Sequence, residues 1–195
     1  MFQPPPVPSW DGLHPLVIHF PIALLLVAPI FVLIGAFAEP KKGKTFLVAA
    51  LLLLMLGTGS LFLAVATGEA AGERVVTNAQ ASAVLEEHEE MAETARAVFG
   101  ALTVVLALII FVPKMLRREV PQRVFVALPI IFLFFYGAGA LLLANTAHQG
   151  GRLVHEFGVR AVVAGTSEQT PGANKTGRGE ERETDNHGQT GRAKH

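Results

Sequence analysis

Residues 16–38 read LVIHFPIALLLVAPIFVLIGAFA and contain no Lys, Arg, Asp or Glu. A helix needs about 20 apolar residues to cross the hydrocarbon core of a bilayer, so this stretch is long enough for one crossing. Three more uncharged windows follow, at residues 45–67, 97–113 and 124–147. The sequence therefore predicts an all-α protein, a four-transmembrane-helix bundle with helices at about residues 16–38, 45–67, 92–116 and 124–147.

The composition excludes several classes of protein. Only 16% of the 195 residues are charged, against about 25% in soluble domains, which argues against an ordinary soluble enzyme. The chain has no cysteine, so disulfides, thiolate iron–sulfur ligands and covalent c-type haem are ruled out. Sixteen basic residues balance sixteen acidic ones, which gives no reason to expect nucleic acid as a partner. No catalytic motif is recognised, so we do not predict an enzyme.

The distribution of Lys and Arg predicts the orientation in the membrane. Basic residues are concentrated in two short connections, 39–44 and 114–123, whereas segment 68–95 carries seven Glu and one Arg. Short loops rich in Lys and Arg remain in the cytoplasm. We therefore expect segment 68–95 and both termini outside the cytoplasm, with residues 1–15 forming a short extracytoplasmic segment.

Two segments outside the uncharged windows have distinctive compositions. Residues 79–96 read AQASAVLEEHEEMAETAR, a helix-favouring composition that predicts an outer extension of the third crossing. The four-helix domain is expected to cover residues 16–163. Residues 164–195 are rich in Gly, Thr and charge, which predicts a disordered polar tail, and His187 and His195 lie in it. No internal repeat is evident in the sequence.

Five histidines outside the tail are predicted to lie at the outer membrane face: His14, His19, His88, His148 and His155. Ionisable side chains in a crossing usually face the bundle interior, which makes His19 a candidate ligand or proton-transfer residue. Three of the five also have a structural alternative. His19 lies near Pro21, which frees a backbone carbonyl, and His88 lies in a run of Glu that is typical of a solvated helix. His148 precedes Gly150 and Gly151, a pair typical of a helix end.

Small residues form a second candidate constellation. The second window contains Gly57-Thr58-Gly59-Ser60, and the fourth contains Gly137-Ala138-Gly139-Ala140. Small residues allow transmembrane helices to approach closely, which is the favoured interpretation. The alternative is a space for a flat cofactor just below the histidines, with Tyr136 bordering it.

The two ends of the apolar region carry a family resemblance. Residues 13–24 read LHPLVIHFPIAL, and residues 147–159 read AHQGGRLVHEFGV. These strings, with Thr67-Gly68 and with His88 in the Glu-rich segment, resemble the bacterial membrane-protein family named domain of unknown function 2231 (DUF2231), over about residues 13–160. The resemblance implies a four-helix protein of the bacterial inner (plasma) membrane and implies no reaction. Relatives tend to have Tyr at position 155, so the resemblance does not support His155 as a site residue.

Three functions are compatible with these features. The first is a redox or electron-transfer component that binds b-type haem at the outer face, with His19 and His148 as preferred axial ligands and His14 and His88 as alternates. The second is a copper or zinc site formed by three or four of the same histidines, although His14 and His19 lie about 140° apart around a helix. The third is a non-catalytic subunit or scaffold without a cofactor. The expected partners are the lipid bilayer, a redox protein or quinone, and a second copy of the chain.

Overall fold

The computed structural model describes residues 9–74, 78–117 and 120–159. A short 3₁₀ helix at Trp10–Leu13 leads into the helices, which are α1 (His14–Val17), α2 (His19–Phe37), α3 (Pro40–Gly72), α4 (Ala79–Met115) and α5 (Gln122–His155). α1 and α2 together form the first span, and all four spans are long and apolar enough to cross a membrane. The predicted all-α, four-helix architecture is confirmed. The tail at 164–195, with His187 and His195, lies outside the described residues.

The predicted extension of the third span before its crossing is also confirmed. α4 begins at Ala79 and continues without a break to Met115. The Asn78 side chain caps its start by accepting a hydrogen bond of 2.9 Å from the Ala81 N–H, which satisfies one of the unpaired donors of the first turn. One helix therefore carries both the Glu-rich segment and the third crossing.

The fourth span is longer than expected. Gly150 and Gly151 lie inside α5, which continues to His155, so the predicted helix stop at this glycine pair is wrong. Beyond the helix end Gly158 has φ +67°, a conformation that favours glycine. The Val159 N–H then bonds the Leu153 carbonyl at 3.0 Å, so the chain folds back over the last turn of α5.

The helices form a ring of neighbours. α2 packs against α3 and α4 against α5, and the ring closes through α3–α4 and α2–α5 contacts. Pro29 has no N–H to donate to the Leu25 carbonyl in the preceding turn. The Tyr136 hydroxyl of α5 donates to that carbonyl instead, and the Tyr136 side chain is only 2% exposed. A proline in one helix is therefore compensated by a tyrosine from a neighbouring one.

The buried positions repeat between the two hairpins, which we call the first hairpin (α1–α3) and the second hairpin (α4–α5). On α2 the buried residues Pro21, Leu25, Ala28 and Val32 follow the same four-, three- and four-residue steps as Ala95, Phe99, Leu102 and Leu106 on α4. The match is longer between α3 and α5. Eight buried residues of each helix keep identical steps, in the order Gly43, Leu47, Ala50, Leu54, Gly57, Leu61, Ala64, Thr67 and Phe125, Pro129, Phe132, Tyr136, Gly139, Leu143, Thr146, Gln149. α3 also buries Leu51, Thr58 and Val65, whose equivalents on α5 are less buried.

These matching steps indicate that the second hairpin approximately repeats the first one, as in a two-fold repeat. The ring of contacts agrees with it, since α3–α4 and α5–α2 are equivalent contacts between hairpins. Both hairpins cross in the same order, so the repeat axis runs along the membrane normal. The repeat is one of spacing between buried positions, which the sequence analysis did not predict. The repeat is invisible to residue identity because most equivalent positions differ in residue type.

Candidate functional site

The five histidines of the described chain lie toward one end of the bundle, which we call the histidine end. His14 and His19 lie where the first span starts, and His148 and His155 lie where the last span ends. His88 lies on the part of α4 that precedes its crossing. Because consecutive spans run in opposite directions, these positions share one end.

His14 is partly buried and is held by α3. Its Nδ1 lies 2.9 Å from the Ala64 carbonyl oxygen and 3.4 Å from the Thr67 hydroxyl. The Thr67 hydroxyl donates to the carbonyls of Leu63 and Ala64, at 2.9 and 3.1 Å. A carbonyl only accepts hydrogen bonds, so Nδ1 carries the proton and donates it. The neutral ring then presents Nε2 as an unprotonated lone pair.

His88 is held by α5 in the same way. Its ring is partly buried, and its Nδ1 lies 2.9 Å from the Thr146 carbonyl oxygen. Thr146 is the position of α5 that matches Ala64 of α3 in the repeat. The two imidazoles therefore have the same kind of partner and the same tautomer. The interpretation of His88 as part of a solvated helix face is wrong, because the ring faces α5.

A glycine lies beneath each of these rings. A Cβ added to Gly68 of α3 would lie 2.9 Å from His14 Cε1, and one added to Gly150 of α5 would lie 3.0 Å from His88 Cε1. Carbon atoms normally pack about 3.5–4.0 Å apart, so any side chain here would displace the ring. Gly150 is needed for this close approach, which explains why it lies within a helix that it was expected to end.

His14 and His88 lie at the same end of the bundle. One comes from the first hairpin and the other from the second hairpin, at equivalent positions of the repeat. Each hairpin therefore builds its own histidine mount, made of a carbonyl and a glycine. We call the two rings with their carbonyls and glycines the His14–His88 site.

The preferred axial pair, His19 and His148, is placed differently. Both residues are exposed on the outside of the bundle, and His155 is exposed as well. The helical angle between His14 and His19 allows only one of them to face inward, and the inward one is His14. Ligation by His19 and His148 stays a prediction, and their exposure makes His14 and His88 the better-placed pair.

The described residues do not support a site with many protein ligands. Within 9–74, 78–117 and 120–159, no group of three or more His, Cys, Asp or Glu is arranged to hold a metal ion. A convergence of three or four histidines, as the copper or zinc hypothesis requires, is therefore not seen in this part of the chain. The arrangement offers two imidazoles, His14 and His88, each held by a backbone carbonyl.

The small residues below the histidines are used for packing. A Cβ on Gly57 would lie 2.8 Å from Leu25 Cδ2, and one on Gly139 would lie 3.2 Å from Val98 Cγ1. The interpretation as close-packing positions is confirmed for Gly57 and Gly139, whereas a Cβ on Gly59 or Gly137 would meet nothing within 4 Å. The alternative space for a flat cofactor is filled, and the Tyr136 hydroxyl is already bonded to a backbone carbonyl. A bound group would have to lie at the level of the two histidines or beyond it.

A comparison with protein families agrees with this architecture. A family model described as "Predicted membrane protein (DUF2231)" matches residues 11–163. The chain belongs to the DUF2231 family. No curated protein and no solved structure matches this DUF2231 protein. The family region takes in all four spans and therefore the whole His14–His88 site.

The two sides of the histidine end of this DUF2231 protein differ in charge. Glu69, Glu73 and Glu89 line an open groove between α3 and α4. On α5, Arg152 donates from Nη1 to the Gln149 side-chain oxygen at 2.9 Å and from Nε to Glu156 at 3.0 Å. The contact between Gln149 and Arg152 was not predicted from the sequence. The sequence feature that could have identified Gln149 is its position directly before Gly150.

Proposed function

We propose that this DUF2231 protein is a redox component of the membrane that binds b-type haem through His14 and His88. One observation carries the proposal. Each imidazole donates its Nδ1 proton to a backbone carbonyl, at 2.9 Å in both cases, and so keeps Nε2 for iron. Metal-ligating histidines usually donate their other ring N–H in this way, which fixes the tautomer and orients the ring.

The donor set fits haem better than a bare metal ion. The porphyrin supplies four nitrogen ligands to haem iron, and the protein supplies one or two axial ligands, which are usually histidines. Zinc and copper sites need three or four protein ligands, and the described residues contain no such group. The absence of cysteine is compatible with b-type haem, which is not covalently attached. When bound, the haem would supply one-electron transfer.

The protein's own contribution is to hold and shield the two imidazoles. α3 holds His14 and α5 holds His88, and the close packing of Leu25 on Gly57 below them keeps the bundle interior filled. In our proposal the histidine end is the outer face of a bacterial inner membrane, with both termini outside, because the basic connections lie at the opposite end. The electron partner is then a quinone in the bilayer or a redox protein outside the cytoplasm.

The test is a visible spectrum of the full chain, purified in detergent after expression with a haem supply. We expect red protein with a sharp reduced-minus-oxidised band and a low-spin signature of two axial imidazoles. His14→Ala and His88→Ala should each lose that low-spin signature. His19→Ala and His148→Ala are matched controls, since both residues are exposed histidines at the same end, and they should keep it.

Three other outcomes would contradict the proposal. Loss of the spectrum only in His19→Ala and His148→Ala would restore the exposed pair as ligands. Colourless protein with stoichiometric copper or zinc by elemental analysis would favour the metal hypothesis. Colourless, metal-free protein that folds normally in all four variants would leave the scaffold hypothesis.

A further inference from the structure

The two hairpins are equivalent in register but differ in chemistry at the histidine end. Thr67 precedes Gly68 on α3, and Gln149 precedes Gly150 on α5. Both side chains are buried, at 1% and 7% exposure. One turn further, α5 carries Arg152, whereas the equivalent position of α3 is an alanine. The second hairpin therefore has a cation where the first hairpin has none.

Arg152 is held on α5 by two hydrogen bonds, one of them to Gln149, which is next to Gly150 in the chain. Its Nη1 donates to the buried Gln149 at 2.9 Å, and its Nε donates to Glu156 at 3.0 Å. The Arg152 side chain is 32% exposed, so it is partly withdrawn from solvent. A guanidinium has five N–H donors, and these two bonds use two of them. The remaining donors are suited to an anion, because the planar guanidinium binds carboxylates in a two-pronged geometry.

The opposite charge lies on the other side of the site. The groove between α3 and α4 is lined by Glu69, Glu73 and Glu89, whose charges interact with one another. A ligand with carboxylates along one edge would be repelled there, whereas on α5 the Arg152 guanidinium offers it donors that it shares with Glu156. Haem has such an edge, since both of its propionates lie on one side of the porphyrin.

We propose that Arg152 binds a propionate carboxylate of the haem and so sets which edge of the porphyrin faces α5. This inference rests on the proposed function and adds to it the orientation of the ligand in an otherwise repeated site. Arg152 is a specificity-determining residue here; Gln149 positions it, and the Glu156 carboxylate competes with the propionate for its donors. An anionic lipid headgroup offers the same chemistry to a guanidinium, so the experiment separates the two sources.

The experiment titrates the full chain in neutral detergent with two probes, haemin and haemin dimethyl ester. The ester has the same iron and porphyrin but no carboxylate. We expect the unmodified protein to bind haemin about tenfold more tightly than the ester, as for one charge-assisted hydrogen-bonded pair. Arg152→Gln should lower the haemin affinity to that of the ester and leave the ester affinity unchanged, while Arg152→Lys should retain part of the preference.

Arg96→Gln is the matched control. Arg96 is also 32% exposed and also pairs with a glutamate on its own helix, but it does not contact Gln149. It should keep the full preference for haemin. Glu156→Gln is a second informative variant, because it removes the carboxylate that competes for Arg152 while leaving Arg152 in place. It should widen the preference for haemin over the ester.

The outcomes separate this inference from the proposed function. Equal binding of both probes by the unmodified protein overturns the role of Arg152 and leaves haem binding intact. No binding of either probe overturns both. A haemin preference that Arg152→Gln keeps in full overturns the propionate assignment, and if that variant instead loses binding of phosphatidylglycerol, Arg152 is assigned to a lipid phosphate. If Arg152→Gln fails to fold, Glu156→Gln replaces it as the test. A preference for haemin over the ester that is unchanged in Glu156→Gln overturns the role of Arg152.

Discussion

Replacing Gly150 by alanine tests the histidine mount directly. The added Cβ would lie 3.0 Å from His88 Cε1, and restoring an ordinary carbon–carbon contact requires a ring shift of roughly 0.5–1 Å. The bond from His88 Nδ1 to the Thr146 carbonyl is 2.9 Å. A shift of that size away from the helix lengthens it to roughly 3.4–3.9 Å, at or beyond the limit for a hydrogen bond.

The two effects on stability oppose each other. Losing one hydrogen bond costs about 1 kcal/mol of unfolding free energy, and alanine in place of glycine inside a helix contributes about 1 kcal/mol in return. We therefore expect the unfolding temperature of Gly150→Ala in detergent to change little. The effect on the ligand should be much larger, because removing an outer-shell partner of a metal-bound histidine typically weakens binding about 10–100-fold. Gly68→Ala should act in the same way on His14.

The control is the neighbouring glycine. A Cβ on Gly151 meets nothing within 4 Å, so Gly151→Ala should leave haemin binding unchanged and stabilise the helix by up to about 1 kcal/mol. The assay is a haemin titration followed by absorbance, alongside thermal unfolding of each variant. Wild-type haemin affinity in Gly150→Ala would refute the reasoning, because the ring of His88 would then not depend on this close approach.

Three further results are expected from other parts of the chain. Tyr136→Phe should destabilise the protein by about 1–3 kcal/mol in thermal unfolding, since it leaves the Leu25 carbonyl without a donor. Pro29→Ala should rescue most of that loss, because it returns a backbone N–H to the same carbonyl; an additive double variant would contradict this account. Since the chain has no cysteine, single Lys42→Cys and Glu87→Cys variants report orientation cleanly. An impermeant thiol reagent added outside should label only position 87, and labelling of position 42 instead would reverse the topology.

Much of the fold could be predicted from the sequence because it follows from local properties. Length and apolar content are sufficient to identify the four spans, and helix propensity with spacing predicted that the helix at 79–96 continues into the third one. The angle between His14 and His19 also predicted that they could not share a face. Which of them faces inward depends on Ala64 and Gly68 of another helix, and spacing along one helix carries no information about that.

Gly150 shows why the site was harder to predict than the fold. A glycine after an apolar run is equally typical of a helix end and of a close contact between helices, and the local sequence does not distinguish the two. The distinguishing signal lay in the other hairpin. Gly57 and Gly68 have the same spacing as Gly139 and Gly150, so a comparison of the two halves by spacing would have paired the mounts.

The repeat also explains why the site joins the two hairpins. Each mount is built within one hairpin, since Ala64 holds His14 and Thr146 holds His88. A single hairpin therefore offers one oriented imidazole, and only the pair can hold a group from two sides. If the two hairpins were identical, a flat ligand could bind in two equivalent orientations. In one of them a given edge of the ligand would face α5, and in the other the same edge would face α3. The replacement of an alanine by Arg152 in the second hairpin removes that equivalence, so charge, and not the packing of the helices, selects the orientation.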